Sequence, residues 1–302
     1  MTSTALALRA LTKDYGQRRA VDHLDLEVAS GEVFGFLGPN GAGKTTTIRM
    51  CLGLINPTAG RIEVLGMDVL SQRSRVLPRV GALVESPALH PYLSGRENLR
   101  VSGLALGGVS SSRLDQVLEM VGLSGRDRDR VSGYSLGMKQ RLGLGVALLH
   151  DPDLLILDEP ANGLDPAGIR EMREMLLGLA AAGKTVFVSS HVLAEVQQTC
   201  SRVAIIHRGR LVREAAMSEL VTEHGEFEVK VDNPDQVLAL IQAQTWGREA
   251  RLQDGLLITP APSGRGRELI RFLVDSGVYP DQVAPRQRDL EDIFLTLTGG
   301  QE

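Results

Sequence analysis

The nine residues GPNGAGKTT, Gly38 to Thr46, restrict what this chain can fold into more than any other stretch. An apolar run, EVFGFL, precedes them, and KTTTIRMCLGLI continues at helical spacing, so the local order is strand, glycine-rich loop, helix. Gly38, Gly41 and Gly43 let the backbone curl until its N–H groups face phosphate oxygens, and the helix that follows adds its positive end. Lys44 has the reach for β and γ phosphates, and the Thr45 hydroxyl suits Mg²⁺. Pro39, Asn40, Ala42 and Thr46 complete the binding segment. An accidental glycine-rich turn is the competing reading, but a chance match arises in on the order of one in a hundred chains of this length. The strand before it and the helix after it also favour phosphate binding.

Transfer of a phosphoryl group to water needs a metal site and an aimed water, and the stretch LLILDEP supplies residues for both. Asp158 ends a buried strand and is placed to hold Mg²⁺, while Glu159 beside it is the candidate to polarise the attacking water. A surface Asp-Glu pair ending a core strand would be the better reading of this dipeptide alone. With the phosphate loop in the same chain it becomes the lesser one. His191 ends another strand in SSHV, where the carboxyl edge of a parallel sheet gathers functional groups, and it can hydrogen-bond the γ phosphate.

Apolar strands alternate with helical patterns from Val33 to about Arg213, which implies a parallel sheet covered on both faces. GRENLRVSGLALG, SRLDQVLEMVGL and KQRLGLGVALLH run as consecutive helices in the middle and imply an inserted helical lobe at about 86–150. Past Glu214 the pattern changes to a small α+β unit of roughly ferredoxin-like order. In it EFEVKV reads as an edge-type strand and RDLEDIFLTLTGG as a closing helix. The domains are therefore 1–214 and 215–302.

The chain has 302 residues, 43% of them hydrophobic, and a net charge of -4, which argues against a general nucleic-acid binder. No run approaches the ~18 apolar residues of a membrane span, and the first residues lack the pattern of a secretory signal. A cytoplasmic protein, or one held at a membrane by a partner, is expected. Cys51 and Cys200 sit in apolar helical patterns without paired spacing and read as small core residues in a reducing compartment.

Taken together these residues resemble the ATP-binding cassette (ABC) ATPases, the nucleotide-hydrolysing subunits of ABC transporters, over Leu6 to Arg213. GPNGAGKTT corresponds to Walker A, LLILDEP to Walker B, NGLDP with Asp165 to the D-loop, SSH to the switch histidine, and YSLGMKQR to the signature. DYG places Tyr15 as the adenine platform, a role an aromatic face can fill for any purine. The resemblance implies a P-loop NTPase parallel-sheet core with N-terminal antiparallel strands, an inserted α-helical subdomain and a small C-terminal α+β domain. It implies ATP and Mg²⁺ as ligands, a head-to-tail homodimer or paired cassette, and an integral-membrane permease that holds the chain at the inner face of the cell membrane.

Two positions depart from the common pattern. Tyr134-Ser135-Leu136-Gly137-Met138 replaces Leu-Ser-Gly-Gly-Gln, and Glu85 stands where a glutamine is usual. Both variants look like the cassettes of ABC-2-type exporters, including those for antibiotic resistance. Glu85 remains an oxygen donor for Mg²⁺, with a solvated loop carboxylate as its plainer reading. Ser135 and Gly137 open a helix with free amides and a hydroxyl, which suits a γ phosphate bound by a second copy of the chain. Proline-rich turns in ESPALHPYLSGRENL expose apolar side chains where the family grips its membrane partner. The alternative is a cassette acting on ribosomes or DNA, which would be expected to carry two cassettes or a long coiled-coil insertion. A P-loop kinase would need an acceptor-binding lid. Export of a drug, antibiotic or lipid-like cargo follows from the subgroup resemblance alone.

Overall fold

The structure, a computed structural model, describes residues 3–222, 226–253 and 255–286. These fall into two compact units that meet in sequence between Met217 and Ser218.

The first unit opens with two long strands, β1 (Thr4–Tyr15) and β2 (Arg18–Ala29), joined by a two-residue turn. Leu24, Leu26 and Val28 alternate with charged neighbours and are buried, as a strand with one wet face requires. β3 (Val33–Leu37) is apolar at every position but Gly35 and wholly buried, and it feeds the phosphate loop and α1 (Lys44–Cys51). α1 ends sooner than its helical pattern predicts because Gly53 takes a left-handed φ of 62°. β4 (Ala59–Val64) and β5 (Met67–Asp68) complete an antiparallel sheet in the order β2-β1-β4-β5.

A short α2 (Arg73–Val76) and β6 (Val80–Leu83) lead into the helices α3 (Gly95–Ala105), α4 (Ser111–Met120) and α5 (Leu136–Leu148). Each has a serine N-cap, Ser94, Ser110 and Ser135, whose oxygen accepts a backbone N–H of the first turn. The chain then runs through β7 (Leu154–Asp158), α6 (Pro166–Ala181), β8 (Thr185–Ser190), α7 (Leu193–Thr199), β9 (Arg202–His207) and β10 (Arg210–Ala216). Asp165 caps α6 through the Gly168 N–H at 3.0 Å, and Gly183 lies just beyond its end at φ 86°.

The second sheet has the order β10-β9-β3-β8-β7-β6 and is parallel except for the β10 hairpin. Phe34, Phe36 and Phe187 stack at its centre, with ring centroids 5.2–6.0 Å apart. Full burial of one such side chain contributes about 1.5–3 kcal/mol. Among the described residues no helix is long and apolar enough to cross a membrane.

α8 (Met217–Thr222) spans the division in sequence. The second unit contains β11 (Glu226–Lys230), α9 (Pro234–Gln242), β12 (Arg251–Gln253), β13 (Leu256–Pro260), α10 (Gly266–Asp275) and β14 (Gln282–Pro285). Its sheet, β12-β13-β11-β14, is antiparallel throughout, the strand order of a ferredoxin-like unit. EFEVKV is therefore an inner strand and not an edge: Phe227 and Val229 are buried, and the buried Glu226 is paired with Arg251 and Arg286. Trp246 meets Phe272 edge-on at 5.2 Å in the core beneath. The closing helix expected at RDLEDIFLTLTGG lies outside the described residues.

Candidate active site

β3, β8 and β7 lie side by side, and their last residues are in register: Leu37 opposite Ser190, and Ser189 opposite Asp158. The phosphate loop, Asp158-Glu159 and His191 consequently leave the sheet at one edge, where the strand order reverses direction around β3. Two loop glycines are sterically required. A Cβ on Gly43, at φ 107°, would stand 2.5 Å from the Ala20 carbonyl, and one on Gly38 would stand 2.6 Å from the Ile206 carbonyl.

Lys44 is buried, and its Nζ donates to the carbonyls of Gly38 at 2.7 Å and Pro39 at 3.3 Å. It also stands 3.1 Å from Glu159 Oε1. Thr45 Oγ1 donates to Asp158 Oδ2 at 2.8 Å, and Ser189 Oγ donates to Asp158 Oδ1 at 2.5 Å. Ser189 also accepts the Glu159 N–H, through its Oγ at 3.0 Å and its carbonyl at 3.2 Å. That anchor holds Glu159 at φ 49°, a left-handed conformation that costs a non-glycine residue about 1–3 kcal/mol. The other Glu159 oxygen, Oε2, is 2.9 Å from His191 Nδ1. With an ionised carboxylate as acceptor, Nδ1 carries the proton and Nε2 of a neutral ring is left as an acceptor.

These groups border a cleft of about 300 Å³ lined by Tyr15, Arg18, Asn40, Lys44, Thr45 and Glu159 among others. Tyr15 is half exposed, with Lys13 Nζ 5.1 Å from its ring centroid. The loop amides and Lys44 suit phosphates, and Thr45 and Asp158 are hard oxygen donors of the kind Mg²⁺ takes. A smaller, largely apolar cavity is lined by Ile169, Met172, Leu176, Val188 and Val196, with Glu195 also at its wall. Burial raises the Glu195 carboxyl above its ordinary range despite the opposing pull of His191, Ser190 and Arg173.

Asp158 and His191 reach the cleft through Thr45 and Glu159, whereas the expected site residues Glu85, Ser135 and Gly137 neither line it nor hydrogen-bond through their side chains to residues that do. Glu85, at φ 60°, is ion-paired with Arg49 in an exposed position. Ser135 is occupied as the cap of α5, accepting the Met138 N–H at 3.2 Å, and Gly137 packs toward Leu164. Two residues that sequence reasoning passed over are placed with the site. Ser189 was visible as the first serine of SSH, where period-2 alternation turns it inward beside Asp158, and Arg18 was visible as the partner of Tyr15 across a two-residue turn.

Comparison with known proteins identifies relatives of the whole chain. The family model described as ABC transporter matches residues 21–162. The bacitracin transport ATP-binding protein BcrA of Bacillus licheniformis is 41% identical over 301 residues, which cover 99% of this chain and 98% of the relative. The daunorubicin resistance ATP-binding protein DrrA3 of Streptomyces coeruleorubidus is 37% identical over 307 residues, covering 99% and 97%. A solved structure of an ATP binding subunit of an ABC transporter superposes with a TM-score of 0.65 at 29% identity, covering 73% of this chain and 93% of that one.

Proposed function

The chain belongs to the ATP-binding proteins of ABC transporters, ATPases whose hydrolysis is coupled to transport, and from that premise we propose which of its residues act and what they serve. The observation that carries the reading is Glu159, held between Lys44 and His191 at the mouth of the phosphate loop. ATP lies along the loop from Gly38 to Thr46 with its base on Tyr15. Its phosphates draw Lys44 away from Glu159, which frees the carboxylate as a general base. Glu159 takes a proton from water as the water oxygen bonds the γ phosphorus, the bond to the bridging oxygen breaks, and ADP and phosphate leave. His191 steadies Glu159 through Nδ1 and has Nε2 for the γ phosphate or its attacking water. Thr45 and Asp158 would hold Mg²⁺, with Glu85 able to join them only after leaving Arg49. The ion supplies charge neutralisation at the phosphates.

Ser135 and Gly137 serve the nucleotide of a second copy in a head-to-tail pair. Residues 1–214 form the nucleotide-binding domain and 215–302 an accessory domain. The pair sits at the inner face of the membrane on an integral-membrane permease. The likeness to bacitracin and daunorubicin proteins supports export of an antibiotic or similar drug. No observation favours action on ribosomes or DNA.

Glu159→Gln tests the chemistry. Phosphate release falls by about 10²–10⁴-fold, the span of general-base catalysis, while titration shows ATP still bound. Turnover near the native rate removes Glu159 from the role. Purification from detergent-solubilised membranes tests the partner: a multi-span protein arriving with the chain supports transport, and ribosomal RNA in its place overturns it.

A further inference from the structure

Tyr15 and Arg18 face each other directly in the β1–β2 register, with only Gly16 and Gln17 between them. Directly opposite residues of an antiparallel pair project from the same face, with Cβ atoms about 5 Å apart. Both line the cleft that also holds Gly41, Gly43 and Lys44. The neighbouring cations are engaged elsewhere. Arg19 is paired with Asp14 and Asp22, Arg210 is paired with Asp22, and Lys13 donates to the Asn56 carbonyl at 2.7 Å. The Arg19 hydrogen bond holds the Asp14 carboxyl below its ordinary range, so that arginine is not spare. The Arg18 guanidinium has no hydrogen-bond or ion-pair partner among the described residues.

We infer that Arg18 is a specificity-determining residue that binds the phosphate chain of the nucleotide whose base stacks on Tyr15. The inference rests on the ATPase reading above. A guanidinium is permanently charged and donates only, so it selects the acceptor-rich, anionic part of a ligand, and its planar fork matches two phosphate oxygens at once. In a nucleoside triphosphate that part is the polyphosphate, which the loop amides and Lys44 already draw into the same cleft. One hairpin thus carries an aromatic face for the base and a fork for the phosphates. Arg18 sets how strongly the site prefers tri- and diphosphates over the bare nucleoside.

The experiment is equilibrium titration of the full chain with ATP, ADP and adenosine, each in the presence of Mg²⁺, alongside steady-state hydrolysis. Arg18→Gln weakens ATP and ADP binding about tenfold, leaves adenosine binding within about twofold, and raises KM for ATP with kcat little changed. Arg18→Lys recovers part of the affinity, and the difference between native and Arg18→Gln shrinks as salt is raised. Unchanged ATP affinity in Arg18→Gln overturns the inference. An equal loss for adenosine also overturns it, because the residue would then act on the base platform. Lys44→Ala separates the two levels: loss of ATP binding there with none in Arg18→Gln defeats Arg18 alone, whereas a native chain that binds no ATP defeats the underlying function.

Discussion

Burial lifts the thiols of Cys51 and Cys200 to about 12, each from an ordinary value of 9.0. Both cysteines are free and buried, Cys51 in the last turn of the phosphate-loop helix and Cys200 against Gly35. The thiolate is the reactive form, so at pH 8 the folded chain presents almost none. Folded protein treated with excess iodoacetamide at pH 8 is expected to keep both thiols, and protein in guanidinium to lose both. Labelling of either cysteine without denaturant would mean that the structure around it opens on the timescale of the reaction. The same shifts fix an alkaline limb of stability. A proton held more tightly by the folded state contributes fully below the unfolded value, near pH 9.0, and its contribution is lost as pH rises through about 12. Sequence reasoning reached the burial of these two residues because both sit in apolar helical spacing. It could not reach Ser189 as the joint between Asp158 and Glu159, since that role exists only once β7 and β8 lie in register.

Elements were legible where one local signal dominated. α6 has a proline at its first position, a capping aspartate before it and a glycine after it, and its limits follow from those three residues. β10 and β12 were not legible, because short amphipathic strands at the end of a hairpin carry little pattern of their own. Links between elements were not legible either. The loop before α3 is tied by backbone to the segment before α5: Val131 N–H donates to the Leu93 carbonyl at 2.9 Å, Ser132 N–H to Pro91 at 2.8 Å, and Arg96 N–H to Asp127 at 2.9 Å. Tyr134 closes this contact. Its hydroxyl donates to the Arg126 carbonyl at 2.6 Å, and a Cβ on Gly95 would stand 2.3 Å from the Tyr134 hydroxyl oxygen. Gly95→Ala is therefore expected to destabilise by about 1–3 kcal/mol, the range for overpacking. Tyr134→Phe alone costs about 1 kcal/mol by removing one of two donors to the Arg126 carbonyl, which keeps the Asp129 N–H at 3.1 Å. The two changes together should cost less than their sum, because the clashing oxygen is gone and the next ring atom is 3.3 Å away. Denaturant melts of the four proteins measure the coupling, and strict additivity would show that Gly95 and Tyr134 do not oppose each other in solution.

For the molecule as a whole, the question is whether one chain holds a complete site. Lys44, Thr45, Asp158, Glu159 and His191 converge at one sheet edge, yet Ser135 and Gly137 open α5 away from the residues lining the cleft. Leu136 between them is half exposed, an apolar side chain left uncovered in a polar turn. A head-to-tail pair would bring this helix start against the partner's nucleotide, with its cap hydroxyl and free amides toward a γ phosphate. Capping alone also explains Ser135, and replacement by a bulky residue would disturb both roles at once. Ser135→Asp separates them. Aspartate caps a helix as well as serine, and its negative charge at a helix N-terminus is favourable, so the melting temperature should stay within about 2 °C. Placed against a γ phosphate, the same charge repels the nucleotide of the second copy. ATP-driven dimerisation, followed by light scattering, should then be lost and steady-state hydrolysis should fall at least about tenfold, with ATP still binding the monomer. Native hydrolysis and native dimerisation by Ser135→Asp would confine Ser135 to its own helix, and the site would have to be complete within one chain.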